Sequence, residues 1–491
     1  MQAEEWARKY DRALSEVKES IRYCRMFVTG FNTNIDGLRH VEGEEIERIV
    51  TEKNLEGEIV SKLENPPREI RTLSDLLAGI LFCAENGVGE EWFIRELEVF
   101  ETIRSIFGYD RLRMGGQGGI MTNVLALLDL KVIPNVVALP QIQAEQFTTE
   151  RGEILIPRRE NGRIVFKNPL EAARESDKIF IHSIFEFDDR FCARVGGRTI
   201  RAPVDNRFIA TYDDENVKVK VDPAFWEGTL TVIDRVGVAM LSGYHMLQSQ
   251  YPDGSKPEDH IRNTIELIKS WRERNPELRI HTEIGFVADS GIRESILSTL
   301  TPHIDSIGLN EDELADNLYT LGQRDNLEEI RDMNAAQIYT GARRMMEKLG
   351  LKRVMVHSRD FSVCLLSSGY GVEPRDELYS VLFGSLLAAT LAHTGNFPTV
   401  QDTESVLRSG ELKISEKALR EQENLASHLE SEEGYPGKRF LEEGFTDAEP
   451  FVVFAPSNLT EPRATVGLGD TICSGSLAAE EALKRRKQRV A

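Results

Sequence analysis

From about residue 230 onward the chain alternates short apolar runs with longer stretches of helical period, and this rhythm narrows the available folds more than any other feature. VGVAMLSG (236–243) reads as a buried strand, and PEDHIRNTIELIKSWRER after it sets Ile261, Ile265, Ile268 and Trp271 on one helical face. RIHTEI, SIGLN and RVMVHS repeat the strand pattern, separated by SGIRESILSTL and by a long helical stretch through MNAAQIYTGARRMMEKLG. Strands that alternate with helices pair into a mostly parallel sheet covered on both faces. The C-terminal half is therefore an α/β layer system.

Earlier in the chain, FVTGFNTNID (27–36) reads as a buried strand entering a polar loop, and GGIMTNVLALLDL with KVIPNVVAL as a further helix and strand of the same layers. Residues 38–107 and 143–216 break the rhythm. The second of these stretches holds the β-leaning segments IVFKN, KIFIHSIFEF and RFIATYD. The pattern predicts a large α/β domain from residues 1–37, 108–142 and 217–491, and a smaller, discontinuous, β-containing domain from residues 38–107 and 143–216. Trp6, Tyr10, Leu14, Val17 and Ile21 step by four, four, three and four, which predicts an amphipathic surface helix in place of a signal peptide. The most apolar stretch, 378–392, falls short of the roughly 20 residues that cross a bilayer and reads as a buried helix.

Charge excludes further classes. With 81 acidic against 60 basic residues the net charge is −21, which repels nucleic acid and anionic membrane. The five cysteines are scattered without CxxC spacing, so neither a disulfide framework nor a zinc cluster is expected. A soluble, cytoplasmic protein fits these bounds, and a local basic site could still bind an anion.

Four groups of residues suit chemistry. In TVGLGDT (465–471) two glycines permit a turn whose N–H groups face an anion ahead of a helix, with Asp470 beside it; a Gly-rich turn with an Asp N-cap explains the same residues. A carboxylate next to a phosphate has a use if it takes a proton from the attacking nucleophile. His281 and Glu283 share one face of a predicted strand end, and Asn310 to Glu313 lie where a strand gives way to a helix, an arrangement that N-capping also explains. Both lie at carboxyl ends of parallel strands, where such folds bind ligands, and carboxylates gathered around an anion loop suit Mg²⁺. The fourth group is Asn32, Asn34 and Asp36 with the run Gly115 to Gly119, amides and a carboxylate fitted to vicinal hydroxyls, or to an Asx-turn.

In this order NTNID, GGQGG, APVDNRFIA, LSGY, HTE at 281–283, NEDE at 310–313 and TVGLGDTI resemble the ADP-dependent sugar kinase family of the ribokinase-like superfamily. The resemblance spans almost the whole chain. It implies a three-layer α/β/α domain with a smaller, discontinuous, β-rich lid, and phosphoryl transfer from ADP to fructose 6-phosphate or glucose with Mg²⁺. By the same resemblance Asp470 is the general base and the Gly467 to Gly469 backbone, with Leu468, holds the transferred phosphoryl. Glu283, Glu313 and Asp470 serve Mg²⁺, supported by Asn310. Asn32, Asn34, Asp36, Gly116 and Gln117 hold the sugar.

Arg207 is expected to reach a phosphate of the nucleotide or the sugar, and is assigned to the nucleotide. His357 and Val453 are candidates for the adenine side by position alone. Fructose 6-phosphate needs cations, for which the second lid stretch offers Arg158, Lys167, Arg201 and Arg207. Glu90, the first acid of GVGEEW, resembles a position where some members accept a hydrogen bond from glucose. The expectation is an ADP-dependent phosphofructokinase with glucokinase activity as a second function. An ADP-dependent glucokinase, an ATP-dependent ribokinase-like sugar kinase and a non-catalytic sugar- or nucleotide-binding regulator are the alternatives.

Overall fold

The computed structural model describes residues 2–490. Its frame is a nine-stranded sheet in the order Phe451–Pro456, Phe361–Leu366, Arg353–His357, Ser306–Leu309, Arg279–Glu283, Val236–Leu241, Met26–Gly30, Lys131–Pro134, Glu153–Ile154. Only Phe361–Leu366 runs against its neighbours; the other pairings are parallel. The strands from Val236–Leu241 to Arg353–His357 step in one direction across the sheet. Right-handed crossovers therefore put Pro257–Arg274, Glu311–Thr320 and Ala335–Leu349 on one face. Gln2–Ser20, Gln117–Leu127, Pro374–Thr394 and Leu468–Val490 pack on one another to form the opposite layer.

The predicted N-terminal helix is present as Gln2–Ser20, with Trp6, Tyr10, Leu14 and Val17 buried. The apolar stretch at 378–392 lies within the core helix Pro374–Thr394, and among the described residues no helix is long and apolar enough to cross a membrane.

The smaller domain is a six-stranded sheet in the order Glu69–Ile70, Glu90–Ile94, Asn206–Thr211, Ile181–Phe187, Asn34–His40, Arg111–Gly115. Residues 38–107, irregular by sequence pattern, contribute four helices to it: Gly43–Glu52, Glu56–Glu64, Leu73–Asn86 and Leu97–Phe107. Three of them have no side-chain hydrogen bond at the N-cap, and all four are held by Ile46, Ile49, Ile59, Leu76, Ile80 and Phe100, which share one core with Trp92, Phe185 and Phe208 of the sheet. The boundaries also move. Glu153–Ile154 joins the large sheet, and the hairpin Ile156–Glu160/Arg163–Lys167 packs on helix Pro223–Val232, so 143–167 stand with the large domain. Asn34–His40, whose residues 34–37 are expected in the large domain, and Arg111–Gly115, expected there whole, are strands of the small sheet.

Two helices set the position of the site. Pro374–Thr394 and Leu468–Val490 approach so closely that a Cβ on Gly384 would lie 2.2 Å from the Ile472 carbonyl oxygen, and one on Gly475 would lie 2.5 Å from Leu387. Beneath them, Arg279 and Arg353 bind Glu377, Glu480 and Glu481, all without appreciable solvent exposure. Gly384→Ala must push helix Leu468–Val490 outward, and a destabilisation of about 1–3 kcal/mol is expected, measured as a lower denaturant midpoint at unchanged slope.

Candidate active site

Helix Leu468–Val490 begins after Gly467, whose φ of 82° makes the turn, and Thr471 closes it by donating both N–H and Oγ1 to the Gly467 carbonyl. Helix geometry leaves the N–H groups of Leu468, Gly469 and Asp470 without acceptors inside the helix, a concentration of partial positive charge. Asp470 stands in this first turn. Burial, with Glu283 next in weight, raises its carboxyl to about 7, and Glu313 and the more distant Asp36 push the same way.

The predicted carboxylates converge here. Glu283 ends strand Arg279–Glu283 and lies over Gly308 of the neighbouring strand, where a Cβ would come within 1.7 Å of its Oε1. Only glycine leaves room for it. His281 Nε2 lies 3.1 Å from Glu283 Oε1, and His357 Nε2 lies 3.5 Å from Oε2. Burial opposes the charge on Glu283, but these two histidines outweigh it and hold the carboxyl far below its usual range. His357 responds in the opposite sense: burial lowers it, Glu283 more than compensates, and it rises to about 9. Glu313 caps its helix reciprocally with Asn310, the Asn310 N–H donating to Glu313 Oε2 at 2.9 Å and Glu313 N–H to Asn310 Oδ1 at 2.8 Å. Burial takes Glu313 to about 7, with Glu283 and Glu311 adding to the rise.

Beside this cluster opens a cavity of about 510 Å³ bounded by Glu311, His357, Arg359, Ser457 to Thr460, Leu468 and Gly469. Its floor is Ser385, Ala388, Ala389 and Ala392, small residues at helical spacing on one face of Pro374–Thr394. That pattern was visible in the sequence as a break in an otherwise bulky apolar helix. Val453 is not part of this wall. It is buried in the sheet opposite Cys364, and the cavity is lined by the residues that follow its strand.

Across the cleft lies the inner face of the small sheet. Strand alternation sends Phe185, Phe208 and Trp92 to the helical side and leaves Asn34, Asp36, Arg113, His182, Arg207 and Glu91 on the other. Asn34 Nδ2 donates to Asp36 Oδ1 at 3.3 Å, and the Arg113 Nε lies 3.6 Å from Asp36 Oδ2. Burial raises the Asp36 carboxyl despite Arg113. Gly116, at φ 70°, passes close under Asn32 and Asn34, and Gln117 Oε1 accepts the Gly243 N–H at 2.8 Å. Among the described residues, Asn32 Oδ1 and Asn34 Oδ1 are buried with no donor from the protein.

Several predicted positions lie elsewhere. Glu90 points away from the cleft: it is ion-paired to Arg68 and accepts the Trp92 indole N–H at 2.6 Å. Its neighbour Glu91 takes the cleft position, accepting from Thr211 Oγ1 at 2.5 Å and lying 4.0 Å from His182 Nδ1. Arg201 is exposed on the hairpin Cys192–Val195/Arg198–Arg201, which packs on the outer helices. Lys167 pairs with Glu160 on a hairpin outside the small sheet, and the buried Arg158 on the same hairpin donates to the Ala172 carbonyl. Arg207 faces Asp36, Arg113 and Glu186, on the small-sheet side of the cleft and not on the nucleotide-sized cavity. Sequence reading missed Arg113 and His182, whose signal was alternation within strands that only the pairing reveals.

A family model described as the ADP-specific phosphofructokinase/glucokinase conserved region matches residues 25–479. The chain is 33% identical to an ADP-specific phosphofructokinase of Methanosarcina acetivorans over 99% of both chains. It is 30% identical to an ADP-dependent glucose/glucosamine kinase of Pyrococcus furiosus, over 97% of this chain and 98% of that one. A solved ADP-dependent kinase in complex with fructose 6-phosphate and ADPβS superposes with a TM-score of 0.83 at 29% identity, covering 97% of this chain and 98% of the other. With a nucleotide-sized cavity, an acidic cluster and a polar small-sheet face meeting at Asp470, the chain belongs to the ADP-specific phosphofructokinase/glucokinase family.

Proposed function

We propose that the protein is an ADP-dependent phosphofructokinase that transfers the β-phosphoryl of ADP to the 1-hydroxyl of fructose 6-phosphate, with glucose as a second acceptor. The observation that carries this reading is the position of Asp470, with the cavity on one side and Asp36 of the sugar-facing sheet on the other. A carboxyl raised to about 7 is matched to taking a proton from a hydroxyl near neutral pH. The free N–H groups of the first helical turn are fitted to the negative charge of the phosphoryl in transit.

The donor set fits a divalent cation. Besides burial, the charge of Glu283 raises Glu313 and the charges of both raise Asp470, so gathering the three carboxyls in one buried cluster is unfavourable without a cation. Glu283 and Glu313 would hold Mg²⁺, with Asn310 orienting Glu313, and the ion would supply charge neutralisation for the nucleotide phosphates. His357, cationic through Glu283, offers a further charge at the same edge of the cavity.

Phosphofructokinase is favoured over glucokinase by two cations on the sugar side. Arg113 is half-buried and ion-paired to Asp36, its Nε and Nη2 find no hydrogen-bond acceptor among the described residues, and burial, with Arg113 nearby, depresses Arg207. Two neighbouring guanidinium groups are suited to an anion placed between them, such as the 6-phosphate. The glucose reading rests on Glu91, which faces His182 and the Asn34–Asp36 pair where a hydroxyl donor would enter.

Three outcomes test these assignments. A matrix of ADP or ATP against fructose 6-phosphate or glucose should give turnover with ADP and highest efficiency with fructose 6-phosphate; preference for ATP overturns the reading. Asp470→Asn should lower kcat by at least about 10³-fold with sugar binding retained by calorimetry, and wild-type kcat/KM should fall as pH drops below about 7, because the base is protonated there. Arg113→Ala and Arg207→Ala should each raise KM for fructose 6-phosphate by about 10-fold or more and change glucose kinetics little, whereas Glu91→Ala should reduce kcat/KM for glucose selectively and Glu90→Ala should spare both sugars.

A further inference from the structure

Behind Glu283 the hydrogen bonds run in a single direction. Arg353 has no solvent exposure, and a guanidinium only donates. Its Nη2 and Nε serve Glu377, with Glu480 Oε1 3.0 Å from Nε, and Nη1 lies 3.2 Å from Ser306 Oγ. Ser306 Oγ therefore accepts from Arg353. Its other partner is His281 Nδ1 at 2.8 Å, and the one hydroxyl hydrogen has to point there. His281 Nδ1 is then an acceptor and the ring hydrogen sits on Nε2. That hydrogen faces Glu283 Oε1 at 3.1 Å and Cys473 Sγ at 2.9 Å, and the carboxylate is much the stronger acceptor. A doubly protonated ring would leave the hydroxyl hydrogen without an acceptor and add a cation beside Arg353 in the dry interior.

We propose that Ser306, polarised by Arg353, is a positioning residue that locks His281 as the Nε2–H tautomer, so that a neutral imidazole donates to Glu283 and fixes that carboxylate for a divalent cation. The cation is taken from the kinase reading; the tautomer does not depend on it. Without the hydroxyl, His281 is free to carry its hydrogen on Nδ1 and to turn a nitrogen lone pair toward the carboxylate, which repels it. Outer groups that orient a metal-binding carboxylate are worth roughly 10- to 100-fold in metal affinity.

The test is a nitrogen-15 spectrum of histidine-labelled protein without nucleotide, with His281 assigned by its loss in His281→Gln. The expected spectrum shows an unprotonated Nδ1 and a proton coupled to Nε2. In Ser306→Ala the two tautomers should mix, and Mn²⁺ affinity measured by electron paramagnetic resonance should weaken about 10-fold. Ser306→Thr, which keeps the hydroxyl, should restore both. A proton on Nδ1 in the wild type overturns the proposal, as does a Ser306→Ala protein with the wild-type tautomer and unchanged Mn²⁺ affinity. If Ser306→Ala fails to fold, the wild-type spectrum and the threonine variant decide. A wild type with the wrong tautomer that still turns over ADP and fructose 6-phosphate refutes the lock alone, and one with the expected tautomer but no turnover refutes the kinase reading alone.

Discussion

The structure depends on a set of charges that never meet water. Arg279 and Arg353, on strands of the large sheet separated by Ser306–Leu309, are clamped to Glu480 and Glu481 of the last helix and to Glu377 of the helix beside it. Burying five charges is costly, and removing a single partner would strand the others, a loss of roughly 3–5 kcal/mol. The arrangement ties the far ends of two rigid elements. Glu480 lies ten residues from Asp470, about 15 Å along the helix, and Arg279 opens the strand that Glu283 ends. Pinned at the base, the helix and the strand bring the carboxyls of Asp470 and Glu283 together at the other end without a flexible segment between them.

Charge explains the site as a local exception. A chain with a net charge of −21 repels both ADP and a sugar phosphate at long range. The cleft adds Asp36, Glu283, Glu313 and Asp470 to that field, and burial drives three of the four upward. Arg113, Arg207, His357 and the first turn of helix Leu468–Val490 oppose it. They are divided between the two walls, arginines on the small sheet and the histidine and helix start on the cavity, so the positive charge is offered at two separate places.

Much of this was legible before any coordinates. Period alone separates the strands and helices after residue 230, and HTE, NEDE and GLGD sit at strand ends or helix starts whose chemistry is local. What sequence could not supply is which strand lies beside which. Arg113 and Arg207 belong to segments far apart in the chain that share one face of one sheet, whereas Lys167 and Arg201, equally cationic, fall on hairpins that face other ways. The helices within 38–107 are short and mostly uncapped, and they owe their stability to Trp92, Phe185 and Phe208, which lie outside them. The cavity floor at Ser385, Ala388, Ala389 and Ala392 is a deficit of volume, and such a deficit has meaning only once the opposing wall is known.

The neighbouring glutamates of strand Glu90–Ile94 carry a consequence for how members of such a family diverge. Glu91 looks into the cleft and Glu90 is bound to Arg68 and Trp92 because successive residues of a strand face opposite ways. Removing one residue from the connection at 87–89, if it draws the strand one position along Asn206–Thr211, would exchange their surroundings. A single deletion in a surface turn would thus rewrite the cleft-facing wall of the small sheet, and loop length there shapes that wall as much as the acids themselves.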